Sequence, residues 1–236
     1  MAKCLEKYII RKRRNVCSTR PLKRDGFCRE VIGGLSYGKD LGCYEHPLQA
    51  HILNGLTTNY SKIINIGCAE GYYAVGFATK MPNIKSLAFD IDPKSQAACR
   101  KLAMKNKVDD RVEVRGIFLP EDFAKYADDS VLIFCDIEGA EDELLNPESS
   151  PALESMEIIV ESHECFRNGI TKRLIERFTR THNVQLIEDD SSRQLIDPPD
   201  WFTKLSHLDQ LLSTWEWRSG PTPWLVMHSK ALMSSH

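Results

Sequence analysis

Two groups of residues in this 236-residue chain have the types and spacing that chemistry needs. The first is a glycine-bearing run, Ile63-Ile64-Asn65-Ile66-Gly67-Cys68-Ala69-Glu70-Gly71-Tyr72-Tyr73-Ala74-Val75-Gly76, where an apolar strand pattern passes through a turn into a helix pattern. Residues without a Cβ at Gly67 and Gly71 let the chain bend sharply and let a ligand approach the main chain, whose N–H groups then serve as donors. The second group is acidic. Asp136 and Glu138 follow one apolar run, and Glu161, His163 and Glu164 follow the next. Carboxylates and an imidazole gathered at strand ends can take a proton from a reacting group or hold a divalent ion.

A further carboxylate sharpens the reading of the turn. Leu87-Ala88-Phe89-Asp90-Ile91-Asp92 is a second strand pattern that ends in acid 19 residues after Gly71. An ionised carboxylate there accepts hydrogen bonds from both hydroxyls of a ribose. Asp90 takes that role, and Asp92, followed by Pro93, is the N-cap of the next helix. Dinucleotides and S-adenosylmethionine both use this layout. A dinucleotide turn reads G-x-G-x-x-G and seats a pyrophosphate. Here Gly67, Ala69 and Gly71 alternate, and Glu70 would repel an anion but tolerate a cationic sulfonium.

NIGCAEGYYAVG followed by AFDIDP resembles the cofactor half of the class I S-adenosylmethionine-dependent methyltransferases. Downstream, Phe134-Cys135-Asp136-Ile137-Glu138-Gly139-Ala140-Glu141 resembles the D-x-E-G-A-E signature of the FkbM-like methyltransferases, and Ile158-Ile159-Val160-Glu161-Ser162-His163-Glu164 resembles their following strand. The resemblance covers residues 40 to 230 and implies an α/β fold: a Rossmann-like seven-stranded, mostly parallel sheet with helices on both faces and its last strand antiparallel. It also implies a methyltransferase, with O-methylation of a hydroxyl on a small molecule or biosynthetic intermediate as its reaction. Two positions depart from the pattern: Asn65 stands where an acid is common, and Ala69 where the central glycine is.

Cofactor binding is accordingly expected from Asn65, Gly67, Cys68, Ala69, Gly71, Tyr72, Asp90, Ile91 and Asp136, with Tyr73 beside them. Asp136, Glu161 and His163 are the expected catalytic residues. The same three are the candidate ligands of a divalent metal, and Glu164 is a further candidate base. Tyr44, Glu45 and Glu138 are expected to contact the acceptor. Glu138 has a structural alternative, as a cap for the helix that Glu141 begins.

The elements that must position these residues follow from hydrophobic periodicity. Strands are predicted at 62–66, 86–90, 111–116, 131–137, 157–162, 184–188 and 224–229. Helices are predicted at 72–80, 94–106, 120–126, 141–145, 171–181 and 205–215. A further helix runs to Leu56, with His46-Pro47 as its start. The alternation is that of a parallel sheet covered on both faces. It begins only near residue 60, so residues 1–58 are expected to form a basic arm and helical cap and 59–236 the cofactor-binding domain. Asp197-Pro198-Pro199-Asp200-Trp201 resembles the motif of base-amine methyltransferases, but it lies beyond the sixth strand rather than after the fourth and is set aside as a stiff connection.

Composition is that of a globular protein, 42% hydrophobic and 27% charged, with no apolar run long enough to span a bilayer and no signal-peptide core. A cytoplasmic location without membrane attachment is expected. The eight cysteines have no C-x-x-C pair and are read as reduced thiols rather than as a zinc site from Cys17, Cys28 and Cys43. Net charge is −2, yet residues 1–30 carry ten Lys or Arg against three acids. Such an arm suits a solvated helix, or RNA or a phosphorylated acceptor as an alternative partner to a small molecule. A binding module without catalysis is the remaining alternative.

Overall fold

The computed structural model describes residues 41–188, 195, 198–216, 218 and 220–233. The basic arm, Cys17, Cys28 and Asp197 lie outside these residues. The described residues fall into two compact units. One joins 47–188 with 220–233, and the other joins 41–46 with the described part of 190–218. Residues 47–58 thus belong with the sheet.

The larger unit is a seven-stranded sheet. Its elements are α1 (Gln49–Thr57), β1 (Lys62–Ile66), α2 (Tyr72–Lys80), β2 (Lys85–Phe89), α3 (Pro93–Lys105), β3 (Val112–Arg115), β4 (Val131–Cys135), α4 (Glu141–Leu144), β5 (Glu157–Glu161), α5 (Ile170–Phe178) and β6 (His182–Ile187). After the segment that belongs to the smaller unit come β7 (Trp224–Ser229) and α8 (Lys230–Met233). The strand order is β3-β2-β1-β4-β5-β7-β6. The first five pair in parallel, and β7 runs antiparallel to both β5 and β6. The predicted antiparallel last strand is present.

Period-two alternation sorts the strand residues onto two cores. Ile64, Ile66, Ile133, Cys135, Ile158 and Val160 pack on one face with Phe123, Leu174 and Phe178. Ile63, Leu132, Phe134, Ile159 and Trp224 pack on the other with Val75, Phe77, Cys99 and Leu102. Every residue of β4 is buried, as a central parallel strand requires.

Several expectations are corrected in detail. Residues 120–126 form a 3-10 rather than an α-helix, with Pro120 at its start. His46–Leu48 is a 3-10 turn leading into α1, so Pro47 does not open the α-helix itself. The helix expected over 205–215 is present as α7 (His207–Thr214), capped by Ser206, whose hydroxyl accepts from the Asp209 N–H, and an unexpected short helix, α6 (Asp200–Thr203), precedes it. These two helices belong to the smaller unit, where Leu41, Cys43, Phe202 and Leu205 form a core of their own.

Candidate active site

Strand order reverses direction between β1 and β4: β2 and β3 continue to one side of β1, while β4 and β5 lie on the other. In open α/β sheets the crevice beyond the carboxyl ends of such a pair is where ligands bind. The two residue groups singled out in the sequence meet there. The Asp136 N–H donates to the Ile66 carbonyl at 2.9 Å, joining the end of β4 to the end of β1.

On the β1 side, backbone φ is +76° at Gly67, +46° at Ala69 and +91° at Gly71. A Cβ on Gly67 would lie 1.7 Å from the Asp136 carbonyl oxygen, and one on Gly71 would lie 2.5 Å from Cys99 Sγ on α3. Both glycines are therefore required by the protein's own close packing. The expectation that the turn's N–H groups await a ligand is largely corrected. Gly67 and Cys68 both donate to the Phe89 carbonyl at 2.9 Å, Gly71 donates to the Cys68 carbonyl at 2.7 Å, and Ala69 donates to Asp90 Oδ2 at 2.8 Å.

Asp90 holds the turn in place. Its Oδ1 accepts from the Asp92 N–H at 2.8 Å, and each oxygen retains a further acceptor site. Asp92 is the α3 N-cap that its sequence position suggested. It accepts from the Lys94 and Ser95 N–H groups, and these hydrogen bonds hold its carboxyl below the usual carboxylate range. Beyond Asp90, Ile91 is 78% exposed, and Ile117, two residues past the strand position that pairs with Phe89, is 62% exposed. Ile117 was missed in the sequence. The signal was an aliphatic residue directly after a strand, where a polar turn residue is usual.

Asn65 is buried and donates to the Phe134 carbonyl at 3.3 Å, while its Oδ1 has no hydrogen-bond partner among the described residues. A buried acceptor left open costs about 1–3 kcal/mol, so this atom is suited to a donor brought by a ligand. Cys68 packs in the core, and its hydrogen bond with Cys99 together with burial raises its thiol pKa, so its side chain carries no thiolate chemistry. Tyr73 lies against Phe134, 3.8 Å between ring centres, and Tyr72 meets Tyr73 edge-on at 5.0 Å. Tyr73 therefore packs on β4 beside the turn.

On the β4–β5 side the centre is His163, which is 4% exposed. Its Nδ1 lies 2.7 Å from Glu141 Oε1, and its Nε2 lies 3.5 Å from Asp136 Oδ1, 3.5 Å from Glu138 Oε2 and 3.9 Å from Glu161 Oε2. Burial opposes a charge on the imidazole. The Glu141 hydrogen bond and the carboxylates of Asp136 and Glu138 outweigh it and raise the His163 pKa. Glu141, fully buried, also accepts from the Ile137 and Gly139 N–H groups at 3.2 and 3.1 Å. The loop after β4 is therefore braced by Glu141, and Glu138 is not the helix cap, because α4 has Ala140 as its N-cap and no side-chain cap bond. Neither this brace nor Phe166, whose ring stacks on His163 at 5.8 Å, was picked out in the sequence. The clue to the brace was an acid four residues after Ile137, at the start of a helix.

Glu164 is corrected from candidate base to helix cap. Its two oxygens accept from the Gly169 and Thr171 N–H groups at 2.7 and 2.9 Å at the start of α5. Burial works against its ionisation, but the Thr171 and Gly169 hydrogen bonds prevail and lower its pKa. Glu45, expected at the acceptor, is buried in the smaller unit. There its main-chain N–H donates to Glu216 Oε1 at 2.8 Å, and its carboxylate lies 3.6 Å from Arg218. Cys43, Cys68, Cys99 and Cys135 are buried and Cys165 is exposed, and none of the five forms a disulfide.

The sheet, its single reversed strand and the crevice define the Rossmann-like fold of the class I S-adenosylmethionine-dependent methyltransferases. A precorrin-6y C5,15-methyltransferase from Geobacter metallireducens GS-15 superposes with a TM-score of 0.55 at 14% identity, covering 90% of this chain and all of that one. An O-methyltransferase from Bacillus cereus, solved in complex with SAH, superposes with a TM-score of 0.50 at 13% identity, over 98% of this chain and all of that one. In sequence, the Ribosomal protein L11 methyltransferase of Salmonella newport (strain SL254) is 36% identical over 91 residues, 37% of this chain. The match spans 30% of the length of that curated relative. No protein-family profile matches the chain. Among the described residues, no helix is long and apolar enough to cross a membrane.

Proposed function

We propose that this chain is an S-adenosylmethionine-dependent methyltransferase of the FkbM-like kind that methylates a hydroxyl oxygen of a small-molecule acceptor. The observation that carries the proposal is the convergence, at one sheet reversal, of the Asp90-held turn, the open Oδ1 of Asn65 and the rim acid Asp136. Asp90 keeps acceptor capacity for ribose hydroxyls. Asn65 Oδ1 suits the ammonium of the cofactor's amino-acid part, and the exposed side chains of Ile91 and Ile117 offer apolar surface to a flat ring. Methyl transfer from a sulfonium is an in-line displacement that needs alignment and, for a hydroxyl, removal of a proton. In this reading Asp136 serves the acceptor proton, with Glu161 and His163 beside it, and Glu138 contacts the acceptor.

The test is calorimetric titration of the purified chain with S-adenosylmethionine, S-adenosylhomocysteine and NAD. Micromolar binding of the first two and none of NAD is expected. NAD binding alone would point to an oxidoreductase, and no binding at all to a non-catalytic module. The relative named for methylating a ribosomal protein gives a second reading, a protein acceptor. Transfer of label from the methyl-labelled cofactor to a basic protein, with none to a panel of hydroxylated small molecules, would select it.

A further inference from the structure

We infer that His163 Nε2, Asp136 and Glu161 form a binding site for one divalent transition-metal ion, of the Mn²⁺ or Zn²⁺ class. Ion binding stands apart from the methyl-transfer reading, and only the ion's service to an acceptor rests on it.

The imidazole is prepared for a ligand. Nδ1–H donates to Glu141 Oε1 at 2.7 Å, which favours the tautomer in which Nε2 carries the lone pair, the carboxylate–histidine arrangement that orients metal-binding imidazoles. Glu141 is itself fully buried and fixed by two main-chain N–H groups. The brace therefore has no freedom to turn away.

Among the described residues, Nε2 has no hydrogen-bond partner. A charge-assisted N–H···O bond is about 2.7–2.9 Å long, whereas the carboxylate oxygens here stand at 3.5 Å for Asp136 and 3.9 Å for Glu161. A buried imidazole nitrogen, 4% exposed as a residue, is thus aimed among carboxylates that it does not bond. Two atoms each about 2.1 Å from a shared ion are roughly 3.4 Å apart at a tetrahedral angle. The Asp136 separation is close to that value, and the Glu161 separation reaches it with a shift of about half an ångström. One ligand atom from each of Asp136, Glu161 and His163 lies within 4.8 Å of the others.

One imidazole and two carboxylates form a mixed set that suits Mn²⁺ or Zn²⁺ better than the all-oxygen preference of Ca²⁺ or Mg²⁺. Three protein ligands leave positions open, as in catalytic rather than structural sites. An ion held there lowers the pKa of a coordinated hydroxyl. Glu138, also 3.5 Å from Nε2 but 72% exposed, is left outside the set.

The experiment strips the full-length protein with a chelator and titrates it with Mn²⁺, following free Mn²⁺ by electron paramagnetic resonance and heat by calorimetry, with Zn²⁺ as competitor. Saturation at one equivalent is expected. Asp136→Asn and His163→Gln should each weaken binding at least tenfold, and Glu143→Gln, an exposed acid outside the set, should leave it unchanged. Asp136 is partly exposed, and circular dichroism is used to check that its variant keeps the fold. Absence of saturable binding, or binding that both variants leave within twofold, overturns the site and makes His163 an imidazolium held among carboxylates. The same samples are titrated with S-adenosylmethionine. Cofactor binding without ion binding removes the metal site alone, and ion binding without cofactor binding removes the methyltransferase reading alone.

Discussion

On the β1–β2 side of the crevice the turn keeps its shape through main-chain atoms: glycines with positive φ, N–H groups spent on the Phe89 and Cys68 carbonyls, and one carboxylate, Asp90, tying Ala69 down. The β4–β5 side is held through side chains, with Glu141 gripping both a loop and a buried imidazole and three further carboxylates gathered near it. The first side resists change because its steric space is full. The second depends on ionisable groups whose charge can be altered by protons or ions. One side is built as a fixed seat and the other as a place where charge is managed.

The difference can be tested first at the seat. Gly67→Ala places a Cβ against the Asp136 carbonyl at a backbone angle that only glycine adopts readily, and should cost about 3 kcal/mol or more. Gly116→Ala, with nothing within 4 Å of the added carbon, should stay within about 0.5 kcal/mol. Urea unfolding of the two variants measures this, and equal destabilisation would break the claim that close packing sets the turn. On the other side, Glu141→Ala leaves the Ile137 and Gly139 N–H groups and His163 Nδ1 without their acceptor. It should cost about 2–4 kcal/mol in the same assay. A loss below about 1 kcal/mol would show that the loop after β4 stands without its brace.

Asp90→Asn sharpens the comparison, because it keeps volume while weakening acceptors on a side otherwise made of backbone. Stability should fall by about 1 kcal/mol, since the Ala69 and Asp92 N–H groups lose charged partners. Cofactor affinity should fall by at least tenfold, because the same oxygens would serve the ribose. Unchanged calorimetric affinity would remove Asp90 from the binding assignment.

The seat was the more legible side in the sequence. Glycine spacing, a strand ending in acid and Asp92-Pro93 are local signals, and β1, α2 and β7 appear with the bounds that periodicity gave. Their causes were less visible. That Gly67 is demanded by the Asp136 carbonyl and Gly71 by Cys99 depends on contacts made far along the chain. The rim acids could be located by type but not by role. Asp136, Glu161 and His163 do converge, whereas Glu164 turns to cap α5, and Glu141, read only as part of a motif, is the residue that fixes the imidazole. The four-residue helix α6 is too short for hydrophobic periodicity to reveal.

The smallest expected effect concerns how the charged side is anchored. Asp142 on α4 meets Arg173 at 2.7 Å and Arg177 at 2.9 Å on α5, and Arg177 also donates to the Asp142 and Leu145 carbonyls. Burial works against ionisation of Asp142, but the Arg173 and Arg177 guanidinium groups prevail and lower its pKa. A carboxyl with a folded pKa below its unfolded value of about 3.9 stabilises the fold fully above that value and loses the contribution as pH falls through the folded pKa. Asp142→Asn should therefore cost about 1 kcal/mol at pH 7, a modest figure because Arg173 is partly exposed. The gap between parent and variant should narrow as pH drops below about 4. Urea unfolding at pH 7, 5 and 3.5 follows that gap. A gap that stays constant across the three would mean that α4 is held to α5 by packing and the Arg177 carbonyl bonds, leaving charge management confined to the cluster around His163.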